Sequence, residues 1–139
     1  MPKAVDIQKA IAGLPVLRNR TRETRGAEAA AAFATLAETG SVGVFAGSFE
    51  GESAWERHRN GDELVQVLDG EARLTILTES GPPDSGRAVL DMKAGMIAVV
   101  PQGCWHKFDA PGVVTVMTMT PLPTDISSAE DPREEEATI

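Results

Sequence analysis

Residues Trp55–Gly70 read WERHRNGDELVQVLDG, and the fold turns on how this stretch is read. ELVQVLDG alternates apolar and polar residues ahead of a turn, the pattern of a half-buried strand. In the first half, Glu56 and His58 are two apart. In an extended segment both leave one face, while Trp55, Arg57 and Arg59 leave the other. Asn60-Gly61-Asp62 between the halves has tight-turn composition. A hairpin through it would bring Glu63, which shares a face with Val65 and Val67, back beside His58. Two carboxylates and an imidazole would then meet next to a hydrophobic run, where charge is costly unless compensated.

Outward from this stretch the chain keeps the same character. SVGVFAGSF (41–49), ARLTILTE (72–79), RAVLDM (87–92), MIAVV (96–100), HKF (106–108) and VVTVMTMT (113–120) are rich in Val, Ile, Thr, Leu and Phe. Turn-forming DGE, GPPDSG, PQG and APG separate them, and no helical pattern intervenes. Short strands at close spacing predict an all-β sandwich or closed antiparallel barrel, with GPPDSG joining its flanking strands as a hairpin. Before Ser41 the pattern differs. Ile7, Ala10, Ile11 and Leu14 fall at helical spacing ahead of Pro15, and AEAAAAFATLAE (27–38) is helical by composition, with Gly40 placed to stop it. The expected organisation is an N-terminal helical arm over 1–40, a barrel over 41–123 and an acidic, disordered tail over 124–139. The arginine run RNRTRETR (18–25) reads as a solvated face or interaction surface, with an anion site or a surface for an acidic partner as the alternative.

Composition narrows the function classes. A formal net charge of −8 argues against nucleic acid, which needs a basic footprint. No apolar run approaches the ~20 residues of a membrane helix, and Asp6, Gln8 and Lys9 interrupt any leader-like segment at the start. The single cysteine, Cys104, rules out an intramolecular disulfide and suits a reducing compartment, so a cytoplasmic protein is expected. Gly61, Gly70, Gly95 and Gly103 read as turn glycines, since no phosphate-binding fingerprint surrounds them.

The second histidine lies in GMIAVVPQGCWHKF (95–108). This reads as a buried strand, a Pro-Gly turn and a second strand on which His106 and Phe108 can face inward together. Two imidazoles with one or two carboxylates form a ligand set for a divalent transition metal. Cys104 reads as a small buried hydrophobe rather than a soft ligand. Trp55 and Trp105 read as packing residues.

At these residues the chain resembles the cupin family, in both of its motifs. The first runs from a glycine through H-x-H and E to a second glycine; here Glu56-x-His58, four residues, Glu63, six residues and Gly70 match it. The second pairs a glycine with P-x-G, a histidine and an asparagine; Gly95, Pro101, Gly103 and His106 fall in register. There are three departures. Glu56 replaces the first histidine, Gly51 sits one residue too close, and Ala110 replaces the asparagine. The resemblance implies a small double-stranded β-helix or jelly roll, a homodimer paired through its sheets, and a divalent ion (Zn, Mn, Fe or Ni) at His58, Glu63 and His106. Glu56 maps to a fourth ligand position, where it could bind the ion, act as a general base, or pair with a neighbouring arginine. Two functions follow: a metal-dependent enzyme on a small organic substrate, of dioxygenase or isomerase type, or a non-catalytic metal or small-molecule binding or sensing protein. Catalysis predicts ligands open to a cavity; binding alone predicts a closed shell, or a cavity without a second acid or base.

Overall fold

The alternation in ELVQVLD survives in three dimensions, with Glu63, Val65 and Val67 buried and Leu64, Gln66 and Leu68 half-buried. The structure, a computed structural model, describes residues 2–78 and 85–137. Along them run α1 (Ile7–Ile11), β1 (Leu17–Arg20), α2 (Ala27–Ala31), β2 (Phe33–Thr39), β3 (Val42–Glu52), β4 (Trp55–His58) and β5 (Glu63–Asp69). There follow β6 (Glu71–Leu77), β7 (Arg87–Lys93), β8 (Ile97–Val100), β9 (Trp105–Pro121), β10 (Thr124–Ser127) and α3 (Pro132–Ala137). Every segment from Ser41 to Thr120 read as a strand is one, except that HKF and VVTVMTMT are a single strand. β9 bulges at Pro111–Val113, where its register with β3 steps from Phe49↔Val114 to Gly51↔Ala110.

β9 is the spine. Its first part pairs with β6 and meets β4 at Glu56↔His106, and its second part pairs with β5. β3 accompanies it throughout the second part and past the bulge. β8 extends β5, β7 extends β6 and β10 extends β4. Two antiparallel layers thus wrap one core, in a jelly roll whose ladder is not closed among the described residues: β7, β8 and β10 each have one neighbour there. Phe49, Val65, Val67, Leu74, Ile76 and Val114 fill the interior. A separate cluster of Trp55, Leu77 and Trp105 lies on the other face of β4 and β6. β6 and β7 pair from Glu71↔Lys93 to Leu77↔Arg87, as the hairpin reading requires; residues 81–84 of its GPPDSG connection lie outside the described residues.

Both ends of the chain depart from expectation. Of the segment read as helical, only Ala27–Ala31 is a helix; Phe33–Thr39 pairs with β3. An alanine-rich helix of that length is marginal alone, whereas joining β3 satisfies its open edge and sets Phe33 against Phe49, 6.3 Å between ring centroids. β1 runs parallel to β3 on the same edge.

The start of the acidic tail is ordered rather than disordered. β10 covers the edge of β4, from Thr124↔His58 to Ser127↔Trp55. Beyond it, Asp131 and Arg133 are buried against each other, with Oδ2 and Nη2 2.7 Å apart, and Trp55 Nε1 donates to the Glu130 carbonyl at 3.2 Å. The composition of the tail is that of a solvated segment, but its neighbours offer an unpaired strand and an exposed indole face. No helix among the described residues is long and apolar enough to cross a membrane.

Candidate metal centre

β4 divides its side chains as the two-residue spacing requires. Trp55 is buried in the aromatic cluster and Arg57 lies over the Trp105 ring, 4.3 Å from its centroid. Glu56 and His58 take the opposite face. Arg57 and Arg59 both bond Asp125, at 3.1 and 2.5 Å. Glu56 faces His58 instead, with Oε2 4.0 Å from Nε2, so a pairing with the adjacent arginines is not what holds it.

Asn60-Gly61-Asp62 does not close a hairpin. β4 pairs with β9 and β10, while β5 pairs with β8 and β9, so the turn carries the chain from one layer to the other. Hydrogen bonds from Gln102 N to Asp62 Oδ1 (2.8 Å) and from Gly103 N to the His58 carbonyl (2.9 Å) lock it against the Pro101–Gly103 turn. Glu63 then reaches the histidines across the interior. Its Oε1 lies 2.9 Å from His106 Nε2 and its Oε2 3.2 Å from His58 Nε2. The convergence expected of the four residues is present, by a route different from the hairpin. Glu56, His58 and His106 can each offer one ligand atom within 4.8 Å of the others.

Each imidazole is oriented from behind. His106 Nδ1 lies 3.2 Å from the Cys104 carbonyl, which can only accept, so Nδ1 carries the proton. His106 Nε2 can therefore donate to Glu63 only as an imidazolium, or bind a cation as the neutral ring. His58 Nδ1 meets Thr124 Oγ1 at 3.1 Å. Thr120 Oγ1 donates to Glu63 Oε2 at 2.6 Å. Burial pushes the Glu63 carboxyl up, but the contacts with His106 and then His58 outweigh it and hold the group down at about 2. For His106 burial pulls the other way, and the Glu63 contact more than reverses it, leaving the ring above its ordinary value. His58 Nε2 is buried and, among the described residues, makes no hydrogen bond, although Glu63 Oε2 lies 3.2 Å away. Burial, then the Asp62 charge, push the Cys104 thiol up; its side chain packs against the core.

A cavity of about 330 Å³ opens beside these groups. Glu56, Glu63 and His106 form one wall, and Phe33, Phe49 and Phe108 line much of the rest. A larger and more open groove, about 800 Å³, bordered by Glu52, Glu71, Arg73 and Asp91, holds none of the four. Among the polar lining residues, Ser53, Thr118, Thr120 and Thr124 were not singled out from sequence, and Arg20 entered only within a run whose alternative reading was an anion site. Thr118 and Thr120 lie in a strand segment where threonine is ordinary, Thr124 lies in the tail read as disordered, and Arg20 was one of several arginines in a run.

The profile of the cupin domain family matches residues 48–120. No curated protein matches the chain. Solved structures do. A cupin-2 domain protein from Shewanella frigidimarina is 27% identical, with 65% of this chain and 79% of that one aligned at a TM-score of 0.50. Hydroquinone 1,2-dioxygenase PnpCD, solved with Cd2+ and 4-hydroxybenzonitrile, is 20% identical over 64% of this chain at a TM-score of 0.53. This chain spans 63% of that dioxygenase's length. Bacillus subtilis oxalate decarboxylase, studied at its Mn(II) centres, is 17% identical at 0.51, with 62% of this chain and 24% of that one aligned.

Proposed function

We propose that this chain, which belongs to the cupin family, holds a divalent transition metal at His58, Glu63 and His106 and acts on a small organic substrate bound beside it. The observation that carries the reading is the placement of the donors: Glu56, Glu63 and His106 form the wall of one cavity. A store or structural site would enclose its ion. Here two of the three donors, Glu63 and His106, line a space a substrate can enter, and Glu56 beside them is a second acid or base, which favours the enzyme over the non-catalytic binding or sensing alternative.

The residues fit the ion. Among the described residues His58 Nε2 is a buried nitrogen that makes no hydrogen bond, a group that costs free energy unless something takes its lone pair or proton. Donor separations of 2.9 and 3.2 Å match the about 3.0 Å between ligands at right angles on bonds of about 2.1 Å. Two imidazoles and carboxylate oxygens serve Zn, Mn, Fe and Ni alike.

A bound ion would supply Lewis-acid polarisation of a substrate oxygen. The chain's own contribution is orientation, exclusion of water and proton handling. Thr124 and the Cys104 carbonyl fix the ring planes from behind. Phe33, Phe49 and Phe108 keep the cavity apolar. Glu56, with 35% of its side chain exposed and 4.0 Å from His58, is the group free to take a proton from substrate; as a fourth ligand it would instead narrow the access. Isomerisation by proton transfer and dioxygenation both suit this arrangement.

Pairing of two chains belongs to the same reading. Val99, Leu64 and Met119 are register partners across β8, β5 and β9, and Val99, Met119 and neighbouring Ile97 are 52%, 40% and 59% exposed. A second copy covering this apolar row would make the homodimer.

The test is elemental analysis of purified protein, wild type against His58→Ala/His106→Ala. Metal near one ion per chain, lost in the double variant, supports the site. Equal, substoichiometric metal in both sinks it.

A further inference from the structure

Among the described residues, the Arg20 guanidinium makes no hydrogen bond or ion pair, yet it is half-buried and lines the cavity that holds Glu56, Glu63 and His106. Its neighbours in the run behave differently. Arg18 pairs with Glu50 at 3.7 Å, Arg22 with Glu52 at 3.1 Å, and Arg25 bonds the Arg22 and Thr24 carbonyls. Arg20 instead lies over the ring of Phe49, 4.6 Å from its centroid, and 5.7 Å from that of Phe33. Ring faces compensate a cation in part, but a guanidinium has five donors arranged as a fork, and rings satisfy none of them well.

The backbone holds this arrangement in place. β1 breaks register with β3 between Leu17↔Phe49 and Arg20↔Gly51, and Asn19 between them has φ +53°. The irregularity turns Arg20 inward. Gly51 has φ +109°, and a Cβ there would overlap the Arg20 carbonyl oxygen, so only glycine lets β1 lie this close.

We propose that Arg20 receives the carboxylate of the substrate, and that the cavity takes a small monocarboxylic acid with an apolar, ring-bearing or branched body. The substrate class rests on the metal reading; the anion site itself stands on Arg20. A guanidinium fork matches a carboxylate bidentately. Phe33, Phe45, Phe49 and Phe108 supply the apolar wall for the body. About 330 Å³ lies at the small end of ligand sites, which run from about 300 to 1,000 Å³. Charge selects a monoanion. Glu56 and Glu63 balance a divalent ion, leaving Arg20 as the single excess positive charge, which a monocarboxylate cancels and a dianion would overshoot. Burial lowers the Arg20 pKa from its ordinary value, partly offset by the Glu56 charge, in keeping with a cation short of a counter-ion.

Titration calorimetry of benzoate against its neutral isostere benzamide, on zinc-loaded wild type, Arg20→Gln and Arg20→Lys, tests this. The expected result is a preference for benzoate of about tenfold or more in wild type, since a charge-assisted pair is worth about that much. The preference should vanish in Arg20→Gln, with benzamide affinity kept, and be partly restored in Arg20→Lys. Equal binding of the two probes by wild type, or a preference that survives Arg20→Gln, overturns the proposal. Loss of benzamide binding in both variants also overturns it, because Arg20 would then shape the cavity rather than hold an anion. Metal content measured on the same preparations separates the two readings. An Arg20-dependent preference in protein that loads no zinc upholds the anion site and sinks the metal centre, and full zinc with an unchanged preference in Arg20→Gln does the reverse.

Discussion

Glu63→Gln in metal-stripped protein isolates what the two histidines do to this carboxylate. The group falls from its ordinary 4.5 to about 2 in the fold, and at about 1.4 kcal/mol for each pH unit that drop is worth roughly 3 kcal/mol. Because the folded value is depressed, this stability is present above about pH 4.5 and is lost as pH falls through 2. His106 has the opposite sign. Its value is raised in the fold, so its share is complete below the ordinary 6.5 and is lost as pH rises through the raised value. The Glu63–His106 contact, 2.9 Å, underlies both, so the two shares describe one interaction and do not add. Glutamine keeps the volume and can still accept from Thr120, but it removes the charge. Urea unfolding in the presence of a chelator, from pH 3 to 9, should show the variant less stable by up to roughly 3 kcal/mol between about pH 4.5 and 6.5. The gap should narrow on both sides of that window. A gap that stays constant across the series would refute the electrostatic account and leave only a packing defect.

Thr124→Val removes the hydroxyl 3.1 Å from His58 Nδ1 and should weaken zinc binding about 10- to 100-fold with the fold intact, read by competition with a chromophoric chelator. Ile97→Asp/Val99→Asp places charges on the exposed row of β8 and should give a one-chain mass by light scattering where wild type gives two. Gly51→Ala forces a left-handed residue against β1 and should cost about 2 kcal/mol or more; benzoate preference should fall while zinc content holds. Deleting residues 124–139 strips the partner strand from β4 and the cover from Trp55. Roughly 3 kcal/mol or more should be lost in thermal unfolding, where a disordered tail would cost nothing.

Strands and site were legible where the signal is local. Period-2 alternation fixes which side chains share a face, so Glu56 with His58, Glu63 with Val65, and His106 with Phe108 could be paired from spacing. What spacing cannot carry is which strand lies next to which. ELVQVL is half-buried whether it returns along β4 or crosses to the other layer, so the turn before it reads as a hairpin in either case. Partners distant in sequence also decided the two misread ends. Ala34–Thr39 has helical composition and becomes a strand because β3 presents an open edge; Thr124–Ser127 sits in an acidic tail and becomes one because β4 does. The anion-site alternative for the arginine run could not be assigned to one residue for a related reason: an alternating basic run on a regular strand puts its charges on the surface, and a single irregularity at Asn19 reverses that for Arg20.

The three departures from the family motif meet in one corner of the fold. Gly51, a residue out of step, pairs with Ala110 across the bulge in β9, and Ala110 is the position where the motif has asparagine. On its other side Gly51 carries Arg20. Glu56, in place of histidine, is the register partner of His106 and the carboxylate whose charge acts on Arg20. An asparagine at 110 would bury an amide in what is here an apolar cluster, and a further imidazole at 56 would add no negative charge to balance the guanidinium. The substitutions are consistent with one another once a cation from β1 is admitted to the cavity. Neutral imidazoles alone would leave a bound divalent ion and Arg20 in repulsion, whereas two carboxylates would offset such an ion and would leave the arginine able to choose an anionic substrate, as proposed.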